Sequence, residues 1–455
     1  MASVTNRHPD YTQARADEWD LCRDAYDGES AIKARGSTHL PVPSGFRAQS
    51  DNGRAMFGAY MARAQFPDIF APTVGAMVGI IHEGEIDIEL PPALEYLREN
   101  ANGADMTLTD MHRRVTRNLL VTGRQGALAD APVSGGDPHL SLYSASSIIN
   151  WDRDFYVLDE SHNARDGFAW REVRQFRVIE MRDGRCVQTI WRDGKPEDEI
   201  EVRIAGGGYL DRLPFSIASA KDVGPRINTP PLIGVARAAV AIYQLSADYR
   251  HQLFMSGQET LVAINGEVPT AVGAGVVHQM MGDGNLAPDL KYVSPSCSGI
   301  EAHLRAIEHN REAAVQSGAR LFEQSSQSQE SGSARKMRFR SETANLQSIA
   351  QMSCAVMEFG LRCIAAMKGA NEAEVIVTPP RDLLDATMTP QDALALWQIV
   401  QQRGLSWDSY WDAMQKGGLG NPERKAEDEY KLIDSFGETD LEEASRGAWE
   451  RSTRL

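Results

Sequence analysis

The stretch Ala334–Lys368 carries the longest helical pattern in the chain, about 35 residues, or roughly 50 Å at 1.5 Å per residue. A helix of that length outruns a small domain, so the remaining chain has to be arranged around an element that crosses it. Directly before it lies Ser325–Ser333, reading Ser-Ser-Gln-Ser-Gln-Glu-Ser-Gly-Ser, a polar run with no bulky or apolar side chain. The four cations Arg335, Lys336, Arg338 and Arg340 then open the helix, with Glu342 nearby. Cations at a helix N-terminus oppose the macrodipole, so they call for a compensating partner.

The remaining texture changes in blocks. Residues 8–30 read as a helix with Trp19, Cys22, Arg23 and Tyr26 on one face, closed at Asp27-Gly28, and Tyr60–Phe66 and Phe70–Ile81 as two helices joined at Pro67-Asp68. Ile86–Leu90 alternates like a short strand stopped by Pro91-Pro92, and Thr107–Thr122 is an amphipathic helix opened by Asp105 or Thr107. Gly126 to about Ser219 is an antiparallel β region of roughly 90 residues, with Asp183-Gly184 and Asp193-Gly194 as two-residue hairpin turns. Strand patterns there include Leu140–Tyr143, Phe155–Asp159, Phe168–Ile179, Arg185–Arg192 and Ile200–Ile204. Leu232–Met255 and Ile300–Glu323 are helical and flank a Gly-rich insert at 257–299, the layout of an antiparallel pair with a module at its tip. Glu374–Thr378 is a short strand, and 390–447 reads as several helices opened by Thr389-Pro390 and Ser406. The fold class expected is α+β.

Composition excludes several classes. With 455 residues, 42% apolar and 24% charged, the chain is an ordinary globular protein of two or three domains. Its formal charge of −16 argues against a simple DNA-coating protein, since phosphate neutralisation needs cations. The five scattered cysteines include no CxxC pair, so neither a disulfide framework nor a zinc ribbon is expected. Met1–Asp20 is polar, without the apolar core of a secretory signal. The most apolar windows, Phe70–Ile81 and Leu232–Ala247, fall short of the ~20 clean residues of a membrane helix, so no membrane partner is expected.

Catalytic signatures are sparse. The chain contains no Walker phosphate loop, no GxGxxG after a strand, no HExxH and no GxSxG. His303 and His309, six residues apart, fall on different helix faces, and no metal or cofactor is expected. Gly123-Arg124-Gln125-Gly126 is better explained as a helix C-cap followed by a strand than as an anion cradle. Asp152 and Asp154 beside Trp151 have the residue types of a glycosidase carboxylate pair. Together with Trp170 and Trp191 they support one alternative, an enzyme with a β domain and helical lid, such as a carbohydrate-active hydrolase. Paired acids beside a hairpin are more commonly solvated, and tryptophans at strand spacing are more commonly core.

A second reading rests on several stretches together. These are Trp19 with Tyr26-Asp27-Gly28; Tyr60-Met61-Ala62-Arg63-Ala64 with Phe66 and Phe70; Val74–Gly79; Leu90-Pro91; and Leu119–Asp130, where a helix runs into the first strand of the β region. In order and spacing the chain resembles the portal proteins of tailed bacteriophages, in particular a subfamily formerly known only as a domain of unknown function. The resemblance covers most of 10–380. It implies a non-enzymatic head-tail connector ring of about twelve identical subunits at one capsid vertex, with closed symmetry. Double-stranded DNA would pass through it during packaging and ejection. The implied partners are terminase (its large subunit), then a head-completion adaptor, and the major capsid or scaffolding protein. The place would be the virion, with the host cytoplasm during assembly.

The resemblance also divides the chain. Residues 1–231 would be a β-rich and helical wing, 232–256 and 300–324 the two stem helices, and 257–299 a small α/β clip. Residues 325–333 would be the tunnel loop, 334–389 the long wing helix and a strand, and 390–455 a helical crown with the C-terminal tail. The loop residues Ser325, Ser326, Gln327, Ser328, Gln329, Glu330, Ser331, Gly332 and Ser333 would then face the DNA channel, where small polar groups let a duplex slide; as a bare sequence the run equally reads as a linker. Three readings stand for Arg335, Lys336, Arg338 and Arg340: phosphate contact, pairing with acids of the next subunit, or a solvated face. In the second stem helix, Arg305, Arg311 and Arg320 alternate with Glu301, Glu308, Glu312 and Glu323, spacing that suits pairing within the helix or between subunits.

Overall fold

The computed structural model describes residues 3–46, 51–84, 86–131, 136–257, 259–265, 287–293, 299–318, 332–380, 390–402, 404–416 and 419–432, and side chains are described outside 51, 198, 260, 332–345, 390–392, 395 and 416. Two compact units result, Met1–Pro380 and Arg381–Leu455.

The first unit begins with helices. α1 (Gln13–Asp27) is capped by Thr12, whose side chain accepts from the Arg15 N–H, and Gly28 ends it at φ 86°. α2 (Glu29–Ala34) follows, then α3 (Asp51–Arg63) and α4 (Phe70–Ile81). β1 (Asp87–Glu89) stops before Pro91-Pro92, where a 3₁₀ turn spans Pro92–Arg98. α5 (Leu108–Thr122) is capped by Thr107, and its C-cap Gly123 is left-handed at φ 71°. That cap turns the chain directly into β2 (Arg124–Asp130), as the sequence pattern predicts.

The β region is entirely antiparallel and more finely divided than its sequence pattern. It comprises β3 (His139–Ser144), β4 (Ile148–Trp151), β5 (Phe155–Asp159), β6 (His162–Asp166), β7 (Ala169–Val173), β8 (Gln175–Arg182), β9 (Arg185–Arg192), β10 (Lys195–Glu201) and β11 (Phe215–Ser219). The run Phe168–Ile179, expected as one strand, breaks at Arg174. Ala169–Val173 pairs with β6, and Gln175–Ile179 begins β8 in a five-stranded sheet ordered β10-β9-β8-β5-β4. Asp183-Gly184 and Asp193-Gly194 have φ of 48°, 74°, 48° and 77°, all four positive as a two-residue hairpin turn requires. Edge strand β10 carries Pro196, a register shift and a run of mostly acidic residues, features that blunt unwanted pairing.

A second sheet, β11-β2-β3, has β2, buried in all but its last residue Asp130, at its centre. The two sheets are joined by Arg177, whose guanidinium lies 3.0 Å from Asp130 and 2.7 Å from Glu160.

α6 (Ile233–Ser256) leads to β12 (Thr260–Ile264) and β13 (Asp289–Val293), which pair as a hairpin, and α7 (Ile300–Gln316) returns. α7 ends seven residues before the sequence pattern does. The Ser317 hydroxyl bonds back to the Ala313 carbonyl, and Gly318 follows at φ 137°. α8 (Gly332–Lys368) is the long helix. Its second half, Leu346–Lys368, is apolar and long enough by composition to cross a membrane. In this fold it is the core helix, packed on β11, β2, α5 and β14 (Ile376–Thr378). β14 pairs with β1, so the end of the unit is tied to its beginning.

The second unit holds α9 (Pro390–Gln401), α10 (Trp407–Lys416) and a helical stretch at 426–432. Trp397, Trp407, Tyr410, Trp411 and Tyr430 pack into a small aromatic cluster, with Trp411 buried and Trp397 and Tyr430 exposed. The Trp407 and Trp411 indole N–H groups donate to the Ala426 and Arg424 carbonyls, the satisfaction that buried indoles require.

Candidate functional site

α6 and α7 run antiparallel. Gly234 at the start of α6 lies against Ser317 past the end of α7, and Gly299 before α7 lies against Gln252 near the end of α6. A methyl on Gly234 would come within 2.8 Å of the Ser317 hydroxyl, so glycine permits the closest approach at the root. That root is anchored: Ile233, Val235, Ala236, Ala239, Ile242, Tyr243 and Ala247 are all buried. α1, α3 and α4 pack against this part of α6. α3 follows α6 past this root: the Tyr60 hydroxyl donates to Asp248, and the Arg63 guanidinium lies 4.2 Å from the Phe254 ring. Burial nevertheless falls off toward the end of the pair. Leu253, Phe254 and Met255 are 40–46% exposed, and Leu304 on the facing helix is 47% exposed.

The β12–β13 hairpin sits at the far end, with Thr260 opposite Val293 and Ile264 opposite Asp289. Tyr292 and Val293 are exposed there. Residues 266–286 and 294–298 of the insert lie outside the described residues.

On α7, Glu301 reaches Arg305 at 3.3 Å and Glu308 reaches Arg311 at 3.7 Å, all four side chains well exposed. Pairing within the helix is thus present for two of the predicted pairs; Arg320 and Glu323 lie outside the described residues. His303 and His309 are on the same helix, and no group of three metal-ligating side chains occurs among the described residues.

Of the expected tunnel loop, Ser325, Ser326, Gln327, Ser328, Gln329, Glu330 and Ser331 lie outside the described residues. Gly332 and Ser333 form the first positions of α8. Arg335, Lys336, Arg338 and Arg340 are on its opening turns, with backbones helical as predicted and side chains outside the description. The alternative site is dispersed: Asp152 and Asp154 are exposed in the β4–β5 turn. Trp151 is instead buried between His8, stacked at 4.1 Å, and the Arg124 guanidinium at 4.2 Å. Burial lowers the Arg124 pKa to about 10.

Sequence reasoning passed over three features. The apolar end of α6 looks, in sequence, like the continuation of its buried first half. The tip of the β6–β7 hairpin presents Phe168, fully exposed, and Trp170, 69% exposed, which the sequence pattern places inside a longer strand. A third is a groove beside α4 and α5, lined by Arg113, Arg114 and Arg117; the only sequence signal for it was three arginines within five residues of one helix.

A family model described as a domain of unknown function (DUF4055) matches residues 231–367, which span α6, the β12–β13 hairpin, α7 and nearly all of α8. No curated protein matches the chain. Among solved structures, the chain is similar to one from the neck of an empty gene transfer agent particle computed with C6 symmetry. The identity is 15%, with 86% of this chain and 98% of that chain covered and a TM-score of 0.43. A chain from the virion of a native gene transfer agent particle gives 16% identity, 87% and 99% coverage and a TM-score of 0.41. One from the neck of the native particle computed with C12 symmetry gives 15%, 77%, 89% and 0.36.

Proposed function

We propose that the chain is a portal subunit, one of a closed ring at a single capsid vertex that forms the channel for DNA packaging and ejection. The observation that carries this reading is the stem. Its root is buried in the body, while its far end, touched on one side by Arg63 of α3, leaves Leu253, Phe254, Met255 and Leu304 partly exposed and ends in a two-stranded hairpin. Fully burying such a side chain contributes about 1.5–3 kcal/mol, and the 40–47% still exposed on each is the share that burial between copies would add. A five-residue, two-stranded module is marginal by itself in water and gains most from the same arrangement.

In this reading the β12–β13 module meets terminase during packaging and a head-completion adaptor afterwards. The first turns of α8, with Arg335, Lys336, Arg338 and Arg340, face duplex DNA or the acids of an adjacent subunit. The body docks against the major capsid or scaffolding protein, and the ring resides in the virion after assembling in the host cytoplasm. The role is mechanical and structural, with no chemical step.

Light scattering on the purified chain, together with negative-stain images, tests the proposal. A particle of about twelve subunits with ring-shaped views is expected. A monomer or dimer with no rings at any concentration overturns it.

A further inference from the structure

Two surface features outside the stem are complementary in chemistry. The first is the β6–β7 hairpin, whose strands pair only with each other and whose residues are exposed except for the partly buried Ala164 and Val173. Its register sets Trp170 opposite Arg165, with Glu172 two residues on and so on the same face as Trp170. Phe168 stands at the turn. A solitary hairpin is marginal in water, and Phe and Trp each offer about 150–250 Å² for burial. Such a hairpin is built to be held by something else.

The second is the groove beside α4 and α5, with a volume of about 460 Å³. Tyr26, Val74 and Val78 give it an apolar floor, and Arg113, Arg114 and Arg117 line its rim. Among the described residues no carboxylate forms an ion pair with any of these three guanidinium groups, in a chain of formal charge −16. Asp110, which also lines the groove, accepts from the Thr107 hydroxyl.

We propose that the β6–β7 hairpin of one copy seats in the α4–α5 groove of the next. The apolar floor takes the indole and phenyl rings. An arginine over the face of Trp170 gains a cation–π contact, and one at the edge pairs with Glu172. Aromatic residues and arginine in a desolvated pocket are the usual centres of binding energy at interfaces. The hairpin carries Arg165, Asp166, Arg171 and Glu172, formally neutral in sum, so it approaches the arginine rim without the repulsion a basic segment would meet. Hairpin and groove are different patches of one chain, so the contact is head-to-tail, the kind that generates rings when the rotation closes. The inference rests on the ring reading above and names where two copies grip one another.

The test uses the full chain with Cys297→Ser; Cys22, Cys186, Cys354 and Cys363 are buried. Phe168→Cys and Gly75→Cys are combined, because Gly75 lines the groove with open space where a side chain would stand. Mild oxidation is expected to give a ladder of disulfide-linked copies on non-reducing denaturing gels, and neither single variant should produce it. Intact rings without the ladder, or a disulfide closed within one copy, overturn the inference. Independently, Trp170→Ala and Arg114→Glu should each raise the concentration at which rings dissociate by at least about tenfold. The double variant should cost less than the two effects combined. Normal rings from both single variants refute the contact. So does a Trp170→Ala ring that forms normally but fails to attach to capsid shells, which would assign the hairpin to a different protein. Absence of rings from the unmodified chain is a separate result that defeats the portal reading itself.

Discussion

His82 and His112 lie with ring centroids 4.6 Å apart under the long helix, where His112 Nε2 is 2.8 Å from the Ser353 hydroxyl. Burial lowers the His82 pKa to about 4 and the His112 pKa to about 3; Arg113 adds to the first effect and His82 to the second. A histidine whose folded pKa is depressed stays neutral in the fold while the unfolded chain takes up a proton below about 6.5. The stability it contributes is therefore complete above pH 6.5 and is lost as pH falls toward 4. The unfolding midpoint is expected to drop steadily across that window, and His112→Gln should flatten the drop. A pH profile of the variant parallel to the parent's would contradict this. Gly126, at the centre of the buried strand β2, is a second residue with a fixed identity. A methyl there would lie 2.5 Å from the Phe215 ring, so Gly126→Ala should cost about 1–3 kcal/mol through overpacking. The urea midpoint should fall with an unchanged m-value.

At the scale of elements, the stem and its tip depend on what lies around them. Replacing 257–299 by a short Gly-Ser loop removes the β12–β13 module without touching the buried root of α6. The expected outcome is a folded chain, by circular dichroism and thermal unfolding, that no longer closes rings or no longer docks the packaging motor. Normal rings that package normally would show the module to be dispensable. The opening of α8 supports a second experiment. Arg335 and Arg338, three apart, share one side of a helix with 3.6 residues per turn, and Lys336 and Arg340, four apart, share another. Single replacements by Gln should therefore divide into two groups. Bore-facing positions should alter DNA retention with intact rings, and interface positions should loosen the ring, more so at low salt where attraction is least screened. Four variants that match the parent in both assays would make the cluster a solvated face.

For the whole molecule, the portal reading requires an obligate assembly. A permanent interface of that kind buries beyond ~2,000 Å², so dilution to micromolar concentration should release little folded monomer. Sedimentation that shows a well-folded, freely exchanging monomer would rule out an obligate ring. The division at Pro380 and Arg381 adds that the aromatic cluster of the second unit is a local core of its own.

What the sequence determined by itself is what local forces set. The caps at Thr107 and Gly123, the Asp-Gly turns, the antiparallel character of the β region and the extent of α8 all follow from backbone preferences within a few residues. The helix–insert–helix layout was legible for the same reason. Tertiary structure alone decided the rest. β1 pairs with β14 across most of the first unit, and Phe168–Ile179 splits because its two halves find different partners. The same apolar pattern on α6 is buried up to Ala247 and exposed from Leu253, since burial depends on which distant elements arrive beside a helix. Arg113, Arg114 and Arg117 become the rim of a groove only when α4 and α1 are laid against α5. A side chain's type is written in the sequence, but its solvent is supplied by the fold.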